Sequence, residues 1–178
     1  TTPLPVLSIK ATNLSFSEST YIKYAVSYEN VAQVDEVKLL VWTSADNEYV
    51  LGTQDVTLSS VDTTSINGID CLVFDFKDLS AKQMTDYIYC VAYIDIGGQR
   101  YYSAPIKYSI LNYAYSNLGK TGTAASNQDF INMLSSMLVY GANAQRYFNY
   151  KTDRLADADY FLVEVAGGTL EDGFTKGL

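Results

Sequence analysis

The chain has 178 residues, 48% hydrophobic and 18% charged, a composition that is ordinary for a packed soluble protein. Twelve basic against 20 acidic residues give a net charge of −8, which repels phosphate backbones, so we expect no nucleic-acid partner. There is no histidine, which removes the usual general base, imidazole metal ligand and pH switch. The chain has no run of about 18 to 20 apolar residues, no signal-type segment and no initiating Met, so we expect a mature, soluble fragment without direct membrane insertion.

The first two thirds of the chain alternate apolar and polar residues with a period of two, in short runs separated by turn residues. Gly97-Gly98 predicts a hairpin because both residues accept positive φ. The polar stretch Ser59 to Gly68 is interpreted as a loop, and Ser44 to Asn47 as a turn. The seven predicted strands are Thr2–Leu14, Thr20–Tyr28, Glu36–Thr43, Glu48–Leu58, Ile69–Lys77, Tyr87–Ile96 and Arg100–Tyr108. Seven such strands are typical of a β-sandwich.

The period changes to that of a helix from Ile110 onward. One helix is predicted to run to Leu118 and stop at Gly119, and a second to begin near Ser126, whose spacing to Asp129 resembles a capping box. The second helix carries one continuous apolar face, formed by Phe130, Met133, Leu134, Met137, Leu138, Gly141, Ala144 and Phe148. The small residues Gly141, Ala142 and Ala144 indicate close approach to another element.

The end of the chain is a polar turn at Asp153–Asp159, followed by a strand-like run at Tyr160–Ala166. This run either leads into a following domain or adds to the sheet of this one. The predicted division is therefore a β-sandwich in residues 1–109, a helical hairpin packed on it in residues 110–159, and a terminal strand or lead segment in residues 160–178.

The two cysteines lie in predicted strands but on opposite parity. Cys90 falls in the inward register of Ile88, Ala92 and Ile94, whereas Cys71 is excluded from the inward register of its own strand. The sequence leaves their pairing open, and the opposite parity favours two free thiols.

The hairpin Tyr87–Tyr93, Gly97-Gly98 and Tyr102–Pro105 resembles the last hairpin of fibronectin type III domains, where a Tyr-rich strand, a Gly turn and a Ser-x-Pro ending recur. This resemblance implies an immunoglobulin-like or fibronectin-III-like β-sandwich, followed here by two helices.

A second resemblance rests on three segments in order, Leu79–Asp86, Tyr108–Tyr115 and Met137–Tyr150. The set is similar to an uncharacterised module of large extracellular proteins of Clostridia and Ruminococcus, often beside glycan-degrading or adhesion domains. The segment Gly167–Phe174 resembles the start of a neighbouring repeat-type β domain. The resemblance implies a secreted or cell-surface, multidomain bacterial parent, whose neighbouring domains are partners of this one, and it supplies no catalytic residues.

Motifs for catalysis and cofactors are not found in the sequence. Without histidine there is no Ser-His-Asp triad, and neither G-x-x-x-x-G-K-[ST] nor G-x-G-x-x-G occurs. The spacing of Tyr147 and Lys151 is a chance match to some dehydrogenases. The acidic groups Asp153/Asp157/Asp159 and Asp46/Asn47/Glu48 do not have EF-hand spacing, so we interpret both as solvated turns. We expect no enzyme activity, no cofactor and no metal.

Tyrosine is the outlying residue type, with 16 copies. Rings on alternate strand residues lie about 6.6 to 7 Å apart, close to the spacing of successive sugars. A glycan platform would use Trp42, Tyr87, Tyr89, Tyr93, Tyr101 and Tyr102. Together with the secreted, multidomain parent that the second resemblance implies, we expect a non-catalytic extracellular module that acts as a spacer, in adhesion or in protein interaction. The alternative is a carbohydrate-binding module that uses these rings on polysaccharide.

Overall fold

The computed structural model describes residues 1–16, 19–44, 56–118 and 128–158, which form two compact units. The described residues of unit 1 lie within 1–78 and 88–107, and those of unit 2 lie within 79–87 and 108–158. The division differs from the sequence-based boundary at residue 109, because segment 79–87 groups with the helices.

The strands form two antiparallel sheets, which contain most of the regular structure of the chain. One sheet has the order β1-β2-β6-β5 and the other the order β4-β3-β7-β8, with β9 paired to β7. This arrangement is consistent with a β-sandwich. The strands of the described residues are β1 (Val6–Ser15), β2 (Tyr21–Glu29), β3 (Lys38–Ser44), β4 (Val56–Ser59), β5 (Asp62–Ile66), β6 (Ile69–Phe76), β7 (Tyr87–Ile96), β8 (Gln99–Tyr102) and β9 (Ile106–Tyr108).

The core of unit 1 follows the alternation of apolar residues along its strands. In β6 the inward side chains Leu72, Phe74 and Phe76 are buried, and in β2 Ile22 and Tyr24 are buried with them. Strand β7 is different, because every residue from Ile88 to Ile94 is buried, including those on both of its faces. A strand covered on both faces is the most enclosed position in a sheet.

Two turns that contain glycine connect the strands of β-hairpins. Gly97 and Gly98 have φ of 59° and 79° and connect Ile96 to its partner Gln99, so the predicted hairpin is confirmed. Asn67 and Gly68, with φ of 52° and 79°, connect β5 to β6 in the same way. The interpretation of Ser59–Gly68 as a loop was therefore wrong, because its residues Asp62–Ile66 form strand β5.

The structure also changes the boundaries of a strand that was predicted near the end of unit 1. The predicted strand Arg100–Tyr108 is divided into β8 and β9, which are separated by the segment that contains Pro105. The predicted turn at residues 45–47, most of the predicted fourth strand and the tail from residue 159 lie outside the described residues.

Both cysteines are free and buried in unit 1. Cys90 lies in the core, and Cys71 packs with Ala11, Ala25 and Ile66 on the face of the sheet opposite Phe74. The prediction of two free thiols on opposite parity is confirmed. Burial raises the pKa of the Cys71 thiol and raises that of Cys90 well above its ordinary value, so both stay protonated at neutral pH.

Unit 2 contains helices α1 (Ile110–Leu118) and α2 (Gln128–Phe148), close to their predicted positions. Neither helix has the length and apolar character needed to cross a membrane. The interpretation of one continuous apolar face on α2 needs correction, because Met133 and Phe148 are 36% and 59% exposed. The buried residues of α2 are Leu134, Leu138, Gly141, Ala142 and Gln145.

The predicted close approach at the small residues of α2 is confirmed at Gly141. A Cβ at this position would lie 2.8 Å from the Sδ of Met84, in the segment that precedes β7. Met84 also accepts a hydrogen bond on its carbonyl oxygen from the backbone N–H of Leu111 in α1, at 3.1 Å. Segment 79–87 is thus held by both helices of unit 2.

A buried glutamine holds the turn that follows α2. The side chain of Gln145 is completely buried; its Nε2 donates to the carbonyl oxygens of Lys151 (3.2 Å) and Arg154 (2.9 Å), and its Oε1 accepts from the N–H of Ala156 (2.8 Å). The hydroxyl of Tyr115 in α1 donates to the carbonyl oxygen of the same Ala156 at 2.7 Å. Because these groups are buried, removing their partner has a large cost.

Asp86 is the second buried polar anchor of unit 2. Its carboxylate is completely buried, accepts a hydrogen bond from the hydroxyl of Tyr150 at 2.5 Å and pairs with Lys151 Nζ at 2.8 Å. Without such partners a buried carboxylate would have a large desolvation cost. Asn149 ends α2 with a left-handed φ of 50°, and Lys151 also has a positive φ, 45°, in the turn that brings it to Asp86.

We expect Gln145→Leu to lower the free energy of unfolding by about 2–4 kcal/mol, because two carbonyl oxygens and one N–H lose their partner in a buried site. Urea unfolding followed by the helical circular dichroism signal measures this. The control is Gln128→Leu on the same helix, where the exposed side chain bonds only Asn132 and the change should stay within about 0.5 kcal/mol. Equal losses in both variants would contradict the role given to Gln145.

We also expect both thiols to resist alkylation in the native chain, because burial keeps them protonated and out of reach of the reagent. Labelling with iodoacetamide at pH 8 should be slower by about two orders of magnitude or more than labelling in urea. Mass spectrometry should find two labels after unfolding. Fast labelling of either cysteine in the native state would contradict the burial described here.

Candidate functional site

The six aromatic residues predicted for glycan binding differ widely in exposure. Trp42, Tyr89 and Tyr93 are buried, with exposed fractions of 3%, 5% and 9%. Tyr87 and Tyr101 are half-buried, and Tyr102 is 47% exposed. A sugar that stacks on a ring needs an open ring face. Among the six residues, Tyr102 therefore has the most exposed side chain.

The buried rings of this set contact one another or a charged group in unit 1. Trp42 of β3 stacks on Tyr89 of β7 with ring centroids 5.9 Å apart and planes at 17°. Tyr93 and Tyr102 meet across the β7–β8 hairpin at 6.3 Å with planes tilted by 51°. These two contacts join four of the six residues in pairs across neighbouring strands.

Arg100 covers the ring of Tyr93 and fixes the hairpin. Its guanidinium carbon lies 3.9 Å from the centre of the Tyr93 ring, and its Nε and Nη2 donate to the two carboxylate oxygens of Asp95 at 2.7 and 2.9 Å. The hydrogen bond from Arg100 lowers the pKa of Asp95, and the same bond raises the pKa of Arg100. The pair is therefore charged across the ordinary pH range and places a planar cation on Tyr93, where a sugar ring would otherwise stack.

A shallow concavity of about 350 Å³ lies on the outer face of the β1-β2-β6-β5 sheet. Its lining combines small residues such as Ala11 and Ala25 with Asn13, Thr64 and Lys23. The Nζ of Lys23 is 3.2 Å from the carboxylate of Asp75, so the charge of this lysine is compensated within the protein. The concavity offers a polar, open surface whose lining also includes Asp62.

Among the described residues, the aromatic side chains with the largest exposed fractions lie on α2, in unit 2. Tyr147 is 84% exposed and Tyr140 is 67% exposed, and Met133 on the same side of the helix is 36% exposed. Positions 130, 133, 137, 140, 144 and 147 follow one another at alternating steps of three and four residues, which places them in one row along a helix. We call this row the α2 stripe: Phe130, Met133, Met137, Tyr140, Ala144 and Tyr147.

The C-terminal end of α2 carries an aromatic pair beside basic groups. The rings of Tyr147 and Phe148 meet edge to face at 4.9 Å and 85°. Lys82 Nζ lies 4.9 Å from the centre of the Phe148 ring and 5.3 Å from that of Tyr150. Arg146 pairs with Asp157 at 3.8 Å while half of its side chain stays exposed. Because the two rings are perpendicular, one flat ligand cannot stack on both.

Sequence reasoning missed the α2 stripe as a functional candidate. The signal was present, because the three-four spacing of the stripe is that of a heptad seam. It was obscured by Leu134, Leu138 and Gly141, which are also apolar and lie on the buried side of the same helix. Periodicity finds apolar rows but does not say which row the fold buries.

A metal ion would need several acidic or cysteine side chains brought together within the described residues. These residues contain no group of three or more acidic or cysteine side chains able to hold an ion. Asp157 is instead paired with Arg146, whereas Asp159 and the group at residues 46–48 lie outside the described ranges.

Comparison of the chain with family models, with curated proteins and with solved structures gave no match.

Proposed function

We propose that this chain is a non-catalytic extracellular module, serving as a spacer or in adhesion or protein interaction, within a larger bacterial surface or secreted protein. The observation that carries the proposal is the exposure of Tyr140 and Tyr147, at 67% and 84%, on a helix whose opposite side is firmly packed. Exposed aromatic side chains in a row are typical of interaction surfaces, where Tyr is an enriched anchor.

The burial and pairing of several potentially reactive side chains support a non-catalytic role. The buried carboxylate of Asp86 is held by Tyr150 and Lys151, and both thiols are buried with raised pKa. Catalysis requires a reactive group at a surface that substrate can reach. Asp86, Tyr150 and Lys151 contribute to packing within unit 2, and the two thiols contribute to packing within unit 1.

The strand order supports an immunoglobulin-like or fibronectin-III-like sandwich. Taken as strands A, B, C, C′, D, E, F and G in chain order, β1 to β8 give one sheet A-B-E-D and one sheet C′-C-F-G. This matches the layout of immunoglobulin-type domains. Such domains commonly act as spacers and binding modules in surface proteins, which fits the proposed role by analogy of fold.

The carbohydrate-binding alternative depends on Tyr102 and its neighbours. Of the six rings, Trp42, Tyr89 and Tyr93 are covered, and Arg100 lies on Tyr93. We therefore favour interaction with protein over polysaccharide as the function of the module. The unit-1 rings remain the site to be tested for glycans.

We expect the purified chain to show no retention on plant, host or bacterial-wall polysaccharides in affinity electrophoresis. The test includes Tyr102→Ala, which removes the most open of the six rings, and Tyr140→Ala as the matched exposed ring in unit 2. Saturable binding of a polysaccharide that Tyr102→Ala weakens and Tyr140→Ala leaves intact would overturn the interaction proposal and establish the glycan alternative.

We expect Trp42→Ala to act on stability. Deleting a buried Trp side chain should lower the free energy of unfolding by about 3–5 kcal/mol, because a cavity replaces the stacked contact with Tyr89. Urea titration followed by β-sheet circular dichroism measures this. The exposed Tyr102→Ala serves as control and should change the free energy by less than about 1 kcal/mol. A stable Trp42→Ala variant would contradict the packing described for β3 and β7.

A further inference from the structure

We propose that Asn67, in the turn between β5 and β6, is a site of spontaneous covalent modification, in which its side-chain amide reacts with the backbone nitrogen of Gly68. This inference goes beyond the proposed function and does not depend on it. Asn67 and Gly68 form the two-residue turn of the β5–β6 hairpin, with φ of 52° and 79°, and both residues are exposed. The tip of an exposed hairpin opens more readily than the strands that it connects.

The reaction needs only these two residues and water. The backbone nitrogen of Gly68 attacks Cγ of Asn67, so that an N–Cγ bond forms, the Cγ–Nδ2 bond breaks, and ammonia leaves with the proton of the backbone nitrogen. The two groups are neighbours in the chain, which gives the attack a high effective concentration. Water then opens the cyclic imide at one of its two carbonyl carbons. Opening at Cγ gives aspartate, whereas opening at the backbone carbonyl carbon gives isoaspartate, in which the main chain continues through the side chain.

The residue that follows Asn67 favours this reaction. Asn67 is the only asparagine of the chain that glycine follows. A side chain on the next residue crowds the attacking nitrogen, and Gly68 has none. A Cβ placed on Gly68 would have no atom within 4 Å, so the space around it is open. Closure of the imide ring also changes the backbone conformation of the turn, which glycine allows at low cost.

Two other asparagines with a left-handed backbone provide a comparison. Asn30 and Asn149 have φ of 56° and 50° and are exposed like Asn67. Val31 and Tyr150 follow them, so a side chain crowds the attacking nitrogen in both cases. The amide of Asn30 also donates a hydrogen bond to a backbone carbonyl oxygen at 3.0 Å, whereas the amide of Asn67 has no hydrogen bond within the described part of the chain. Both differences favour reaction at Asn67.

The two products have different effects on the hairpin. Asp-Gly suits a two-residue hairpin turn as well as Asn-Gly does, so aspartate leaves β5 paired with β6. Isoaspartate lengthens the main chain of the turn by a carbon atom, so the pairing of Ile66 with Ile69 beside the turn no longer fits. Because β5 lies at the edge of its sheet, it is paired with β6 alone, and its end is released.

The end of β5 covers the Cys71 thiol. Ile66 packs against the small apolar cluster that contains Cys71, and Thr64 is the register partner of Cys71 across the hairpin. Cys71 is only 1% exposed in this arrangement. Release of Ile66 by isoaspartate therefore exposes the Cys71 thiol on the outer face of the sheet. Cys90 lies in the core, on the other sheet, and does not depend on this cover.

Incubation of the native chain at pH 8 and 37 °C for four weeks, followed by peptide mass spectrometry, tests the site. We expect the peptide that contains Asn67 to gain about 1 Da, because OH replaces NH2, and an isoaspartate methyltransferase to label part of the product. The peptides with Asn30 and Asn149 are internal controls and should react about tenfold more slowly or less. Asn67→Gly keeps a two-residue turn without the amide, so its peptide should stay unchanged. An unmodified Asn67, or equal rates at the three asparagines, would overturn the proposal.

Iodoacetamide labelling of the aged chain tests the consequence for Cys71. Asn67 and Cys71 fall on one tryptic peptide, Leu39–Lys77, so both changes are detected in the same molecule. We expect Cys71 to react about tenfold faster or more when isoaspartate is present, while Cys90 stays protected. The matched control is Asn67→Asp, which represents the aspartate product and should react as slowly as the fresh chain. Equal protection of Cys71 with and without isoaspartate, or equal exposure of both cysteines, would disprove the link between the turn and the thiol.

Discussion

The burial of the Asp86 carboxylate is the constraint on which the surface of unit 2 depends. A completely buried carboxylate must keep its hydrogen bond from Tyr150 and its ion pair with Lys151, and both partners come from the turn directly after α2. Their positions fix how α2 ends, while Gln145 holds the next residues of the same turn through three backbone groups. With its last turn fixed in this way, α2 holds Tyr147 and Phe148 at the solvent side of the helix.

The two units use their aromatic residues differently. In unit 1 the rings of Trp42, Tyr89 and Tyr93 are covered by each other and by Arg100, and they contribute to packing. In unit 2 Tyr140 and Tyr147 project from a helix whose buried side is already complete. An exposed ring has an unfavourable contact with water that burial against a partner removes. The proposed interaction role therefore follows from the rings that the fold leaves open.

Several elements could be predicted from the sequence because local chemistry decides them. Gly97-Gly98 specified its hairpin through positive φ, and the period of the residues after Ile110 identified a helix. Strand β5 was missed because Asp62–Ile66 lacks apolar alternation, although Asn67-Gly68 is itself a strong hairpin signal. Other features depend on residues far apart in the chain. Asp86 and Lys151 are joined only by the tertiary fold, and the exposure of Tyr140 depends on which side of α2 packs inward.

Because unit 1 contains two free thiols, the lifetime of the folded chain depends on how fast it unfolds. Cys71 and Cys90 lie in different sheets, and Cys71 faces the side of its sheet opposite the core that holds Cys90, so no disulfide joins them in the folded state. Once unfolded, the two residues close a loop of about 20 residues that oxidises readily. In the oxidising extracellular setting proposed here, such a bond would bar refolding and make unfolding irreversible. The lifetime of the chain would then depend on its rate of unfolding, not on its equilibrium free energy of unfolding.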